Sequence, residues 1–148
     1  MKNFALGSSL CLLIVFSSCK KKKEEQIDPI PFLEIESISA TTVQEYDSNV
    51  VLKLLYRDED GDLGFDHPDS LSLYIHDSRL ENPDRYFVPL LSPPADSLHI
   101  QGGLDVTLVA PFLLGNGNSE TLNYSVWIFD RKHNVSNIVV TDPITIIR

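Results

Sequence analysis

The densest chemical feature of the sequence is Asp58-Glu59-Asp60-Gly61-Asp62-Leu63-Gly64, in which four acids fall within five residues. Calcium takes about six to eight oxygen ligands, and carboxylates alternating along a tight turn can converge on one point if glycine permits the bend. Arg57 is the one close base, so these acids repel one another until something positive arrives. Asp58, Asp60 and Asp62 are the expected metal ligands, with Asp130 or Asn134 as candidates to join them across the end of the fold. Ca2+ is the only cofactor that the residues suggest. The same stretch also reads as an acidic surface turn, in which Asp side chains bond to their own backbone and Gly61 and Gly64 take positive φ. Leu63 and Phe65 would then pin the loop to the end of the core. An EF-hand is excluded. Its sixth loop position wants glycine where this chain has Leu63, its twelfth falls on Asp69 instead of a longer Glu, and no helix pair flanks it.

Other chemistry is sparse. His67, His76, His99 and His133 lack the spacing of a zinc site, and nothing matches a nucleophile elbow, a P-loop or a dinucleotide fingerprint. His76-Asp77-Ser78 holds triad residue types, but neighbours along a strand alternate faces, so adjacency does not make a relay. Carboxylates are too abundant to single out a glycosidase pair. The expectation is a protein that is not an enzyme. Trp127 and Phe129 are candidate ligand-binding residues: if Tyr124, Val126 and Ile128 point inward, these two point outward and can stack on a sugar ring or a partner surface. The alternative is that the tether or a neighbouring loop covers them, or that the strand turns its other face outward.

The elements that must position these residues repeat with a period of two. Leu33, Ile35 and Ile38 mark a first strand; Val50, Leu52, Leu54 and Tyr56 alternate with Val51, Lys53, Leu55 and Arg57 in a second. Leu71 to His76, Arg85 to Leu91, Leu98 to Ala110, Leu122 to Phe129 and Asn137 to Ile147 follow, with Gly102-Gly103 suggesting a bulge or bend and Pro143 a bulge or an edge. Seven short strands punctuated by turns, with no amphipathic helix between them, predict an all-β fold: a single antiparallel β-sandwich. The 148 residues leave room for one domain. From Phe32 to Arg148 there are 7 Lys and Arg against 18 Asp and Glu, a net charge of −11, so nucleic acid is not an expected partner.

The first residues set the compartment. Lys2 supplies a positive start, Phe4 to Phe16 form a short apolar run, and Ser17-Ser18 lead into Cys19, the pattern of a secretory signal peptide. The run is shorter than the roughly 20 apolar residues that a spanning helix needs. The reading divides the chain into a leader over residues 1–18, a lipidated Cys19 with a charged, proline-containing tether over 19–31, and a domain over 32–148. The chain has two cysteines, and only Cys19 survives cleavage, leaving no disulfide.

Val15-Phe16-Ser17-Ser18-Cys19 resembles a lipobox, with Phe16 where leucine is usual. The resemblance is to outer-membrane lipoproteins of the Bacteroidota type, and it implies lipidation of Cys19. Lys20 at the second mature position favours the outer membrane, on its periplasmic side or at the cell surface. Lys20 to Lys23 followed by Glu24-Glu25 resembles the surface-export signal of some such lipoproteins; a solvated charge run gives the same composition. Over residues 32–148 the chain resembles immunoglobulin-like and fibronectin type III-like domains. Tyr124 to Asp130 is similar to a penultimate strand with Tyr124 as a corner tyrosine, and Asp130 to Asn137 is similar to the D-x-x-x-N-x-S-N turn before the last strand. Asp58 to Gly64 resembles both D-x-D-G-D calcium loops and the D-G-D-[LI]-G segment recurrent in these lipoproteins. The function implied is a lipid-anchored, non-enzymatic binding or structural module with an unidentified protein or glycan partner; the alternative is an accessory carbohydrate-binding lipoprotein.

Overall fold

A computed structural model describes residues 27–93 and 98–148. The leader, Cys19 and the lysine run lie outside the described residues.

Among the described residues there is no helix, and ten strands form three sheets. The first sheet orders β1 (Phe32–Ile38), β3 (Val50–Asp58) and β6 (Ile100–Leu108) with β3 in the centre. The second orders β5 (Asp84–Phe87), β4 (Leu71–Asp77), β8 (Tyr124–Ile128) and β9 (Val139–Val140). The third places β10 (Ile144–Ile147) between β2 (Thr42–Gln44) and β7 (Ser119–Leu122). All three turn apolar residues into one cluster: Leu33 and Leu54 from the first sheet, Leu73 and Ile128 from the second, Leu122 and Ile146 from the third.

The alternation that predicts the strands also predicts which residues share a face, and the structure decides which face is the inner one. Val50, Leu52, Leu54 and Tyr56 are buried along β3, as are Tyr124, Val126 and Ile128 along β8. On β1 the apolar set Leu33, Ile35 and Ile38 breaks a strict period of two. A register shift between Ile35 and Ser37 resolves this, because Ile35 pairs with Leu54 and Ile38 with Leu52. A bulge adds one residue and restores the phase.

The strand count exceeds the expected seven for physical reasons. Thr42-Val43-Gln44 is too short and too polar to carry a periodic signal, yet it pairs with β10, and in parallel, departing from the expected antiparallel scheme. The expected sixth and seventh strands each divide where the chain changes sheets. At Asn123 the backbone N–H donates to Ser78 Oγ at 3.0 Å and the carbonyl accepts from Ser78 N at 3.0 Å, so β7 and β8 join different sheets. Alongside, Tyr124 N donates to Thr141 Oγ1 at 3.0 Å and Thr141 N to Tyr124 O at 2.9 Å, separating β9 from β10. Gly102-Gly103 makes no bulge: both stay in register opposite Tyr56 and Leu55. A Cβ on Gly102 would lie 2.6 Å from Tyr56 Oη, so this glycine makes room for a buried ring.

The polar residues of the turn before β9 tie the strands together. Asn137 imitates a strand neighbour of β1, accepting from Leu33 N at 2.8 Å and donating to Leu33 O at 2.9 Å. Ser136 Oγ accepts from Ile128 N at 3.0 Å. Asn134 Nδ2 donates to Pro29 O at 3.0 Å, and Asp28 N donates to Glu59 Oε2 at 2.8 Å. The last residues of the expected tether therefore dock beside the loop that follows β3.

Candidate metal centre

The end of β3 and the turn that follows it build the site. The inward phase of β3 runs through Tyr56 to Asp58, which is 1% exposed. The strand ends there, and the turn after it, bent at Gly61, brings Asp60 and Asp62 back beside Asp58 while Glu59 turns away to hold Asp28. One carboxylate oxygen of each of Asp58, Asp60 and Asp62 lies within 4.8 Å of the other two.

The loop backbone is fixed from several directions. Gly61 and Gly64 take φ of 67° and 83°, the left-handed conformation expected from sequence. Asp58 Oδ2 accepts from Leu63 N at 3.0 Å, and Ser92 Oγ donates to Gly61 O at 2.8 Å. Leu63 is fully buried and bridges to Asp130. The Arg131 guanidinium reaches the carbonyls of Gly61, Leu63 and Gly64 at 3.3, 3.4 and 3.0 Å. Three carbonyls on one planar cation hold the turn closed.

The carboxylates are less well satisfied than their backbone. Asp58 Oδ1, Asp60 Oδ1 and both oxygens of Asp62 are buried with no hydrogen bond from an N–H or hydroxyl donor, although a proton on Asp58 can be shared with Asp60. Lys132 Nζ donates to Asp60 Oδ2 at 2.6 Å and stands 3.4 Å from Asp62 Oδ2, an ion pair without a well-directed bond. Burial, and then the bond and charge of Asp60, push the Asp58 carboxyl up to about 6, against the pull of the Leu63 N–H. Burial also raises Asp62, helped by the charges of Asp130 and Asp60. Burial works upward on Asp60 too, but the bonds from Lys132 and Asp58 outweigh it and hold this carboxyl below its usual range. Lys132 is raised in turn by its bond to Asp60. Like charges crowded in a dry site raise the pKa of some members so that they need not all ionise together.

A pH dependence follows. Because Asp58 holds its proton in the folded state up to about 6, against 3.8 in the free side chain, the folded protein binds more protons than the unfolded chain between those values. Its contribution to stability is present below the lower value and is lost as pH rises through the upper one. Metal-free wild type is expected to lose stability relative to Asp58→Asn on going from about pH 4 to pH 7. Urea unfolding across that range checks this; parallel profiles for the two proteins would contradict it.

Asp130 and Asn134 lie beside the triad but serve their own turn. Asp130 is fully buried; its Oδ1 accepts from Asn134 N at 2.8 Å and its Oδ2 from Asn134 Nδ2 at 2.7 Å. Asp130 reaches the site as a charge and not as a converging ligand.

Comparison with protein-family models, with curated proteins and with solved structures gives no match. The functional reading therefore rests on residues and geometry.

Trp127 on the outer face of β8 and Phe129 just beyond its end are both half-buried. Tyr74, the register partner of Trp127, stacks against it with ring centroids 5.5 Å apart and meets Phe129 in a T-shaped contact at 5.2 Å. These rings pack on one another, covering at least one face of the strip from within the molecule. His76 and Asp77 are likewise engaged locally, His76 Nε2 with Leu80 O at 2.8 Å and Asp77 with Arg79 at 2.7 Å. Sequence reading did not single out Arg131 and Lys132. The signal was present as an adjacent basic pair in a strongly acidic domain.

Proposed function

We propose that this protein is a non-enzymatic β-sandwich module of the immunoglobulin-like or fibronectin type III-like kind, carried on a lipid anchor at the bacterial outer membrane and stabilised by a divalent cation, calcium by preference. The observation that carries the cation reading is the convergence of three aspartates, four of whose carboxylate oxygens are buried with no N–H or hydroxyl donor. Buried polar atoms without partners are uncommon in folded proteins and call for an explanation. All-oxygen, carboxylate-rich sites suit hard cations, and calcium tolerates irregular coordination where magnesium demands near-ideal octahedral geometry. Asp58, Asp60 and Asp62 would supply the side-chain ligands.

The placement of the loop gives the cation a role. Glu59 and Asn134 grip residues Asp28 and Pro29 at the root of the tether, so stiffening the loop also fixes the point at which the domain leaves its anchor. The lipid anchor is supported by the signal-like leader and by the lipobox resemblance at Cys19.

Calcium is expected to raise thermal stability. Extracellular calcium modules bind with Kd of about 10⁻⁴–10⁻³ M, and about 10 mM ligand then stabilises by roughly 1–3 kcal/mol. That corresponds to a rise in Tm of several degrees, smaller with magnesium and lost in Asp58→Asn and Asp62→Asn. Unchanged melting of wild type with and without about 10 mM CaCl2, and no heat on titration, would remove the reading.

A further inference from the structure

We propose that Lys132 is a tethered competitor for the cation, an ammonium that sits across the carboxylates and must swing out before the ion is bound. This inference rests on the cation reading above and specifies how that site is regulated.

The two neighbouring bases at the site are held in opposite ways. Arg131 is locked: its guanidinium donates to the carbonyls of Gly61, Leu63 and Gly64, and its backbone N–H to Asp62 O at 3.2 Å. None of those contacts uses a carboxylate of the triad, so Arg131 shapes the loop whether or not an ion is present. Among the described residues, the hydrogen bond and ion pairs of the Lys132 ammonium are all with the carboxylates. Its Nζ lies 2.6 Å from Asp60 Oδ2 and 3.4 Å from Asp62 Oδ2, while 61% of its side chain remains exposed. A four-carbon stem in water can rotate the ammonium away without disturbing packing.

Charge then decides the competition. The ammonium and a divalent ion placed against the same oxygens would repel strongly at such separations. Neither can be ignored by the triad, because without a cation three crowded carboxylates oppose one another. Lysine thus keeps the metal-free loop closed and weakens the apparent affinity for the ion that replaces it. A lysine that merely braced the loop would act in the other direction, since its removal would weaken ion binding along with stability.

The test is calorimetric titration of CaCl2 into the metal-free full chain, as wild type, Lys132→Met and Lys132→Gln, with metal-free melting of each. The expected result is calcium affinity about two- to fivefold tighter in both variants, the range that loss of an ion pair exposed on its lysine side supplies, together with a lower metal-free Tm. Binding detected in the variants but not in wild type supports the proposal equally. Equal or weaker affinity in both variants, with wild type binding normally, overturns the role of Lys132 and leaves the cation site standing. Absence of binding in all three proteins overturns the site and this proposal together.

Discussion

Gly64→Ala is expected to destabilise the protein by about 2–5 kcal/mol. Two independent costs contribute. Gly64 adopts φ of 83°, which an L-residue enters only against a clash between its Cβ and the backbone, at roughly 1–2 kcal/mol. The added Cβ would also lie 2.1 Å from Pro89 O and 2.8 Å from Pro89 C, so the segment carrying Val88 and Pro89 must retreat from the loop. Overpacking of this kind typically costs about 1–3 kcal/mol. Val88 is buried and accepts from Phe65 N at 2.9 Å, so the retreat reaches the core. For a domain of this size the loss lowers Tm by about 10 °C or more. Gly117→Ala is the control: its nearest neighbour would be 3.5 Å away and its φ is not positive, so it should be close to neutral. Thermal melts of the three proteins decide the matter. A Gly64→Ala Tm within a degree or two of wild type would show that the loop is not built as described.

Asp130→Ala is expected to cost about 2–4 kcal/mol. Asp130 is fully buried, and each of its oxygens accepts one bond from Asn134. Bonds to a charged acceptor contribute about 1.5–3 kcal/mol each, and removing the acceptor leaves part-buried N–H groups unmatched. A compensating term is visible, because the charge of Asp130 raises the pKa of Asp62 and its removal relieves that repulsion. The net effect is therefore smaller than the sum of the two bonds. Asp130→Asn, which keeps one oxygen acceptor and loses the charge, should cost roughly half as much. Urea unfolding gives the free energies, and hydrogen exchange at the Asn134 amide reports the turn itself. Full protection of that amide in Asp130→Ala would refute the assignment. Because Asn134 Nδ2 also holds Pro29, the same substitution should loosen the root of the tether, seen as faster exchange at Asp28.

The period-two pattern of residues such as Val50 to Arg57 and Tyr124 to Phe129 determined strand type and which residues share a face, because alternate side chains of a strand must face opposite ways; burial alone decided which face is inner. Acids alternating along a glycine-bearing turn made Asp58, Asp60 and Asp62 readable as one group, and turn chemistry made Gly61 and Gly64 readable as left-handed positions. What the sequence left open depends on partners distant along the chain. No local signal says that Thr42–Gln44 finds β10, that Asn123 meets Ser78, or that the chain changes sheets at Thr141. Those contacts are set by which edges are free once the core has closed. The turn motif from Asp130 was legible, but its acids and amides could not be assigned to metal or to backbone until Asn134 and Leu33 were placed beside them. Lys132 stands out in the sequence as half of a basic pair in an acidic domain, but its pairing with the triad does not, for the same reason. Seventy-two positions separate it from Asp60, and the two loops meet through long-range contacts: the bridge between Leu63 and Asp130 and the hydrogen bonds from Arg131 to Gly61, Asp62, Leu63 and Gly64. Side-chain alternation is a local property of the backbone and is written in the sequence; the meeting of charges across an end of the fold depends on long-range packing.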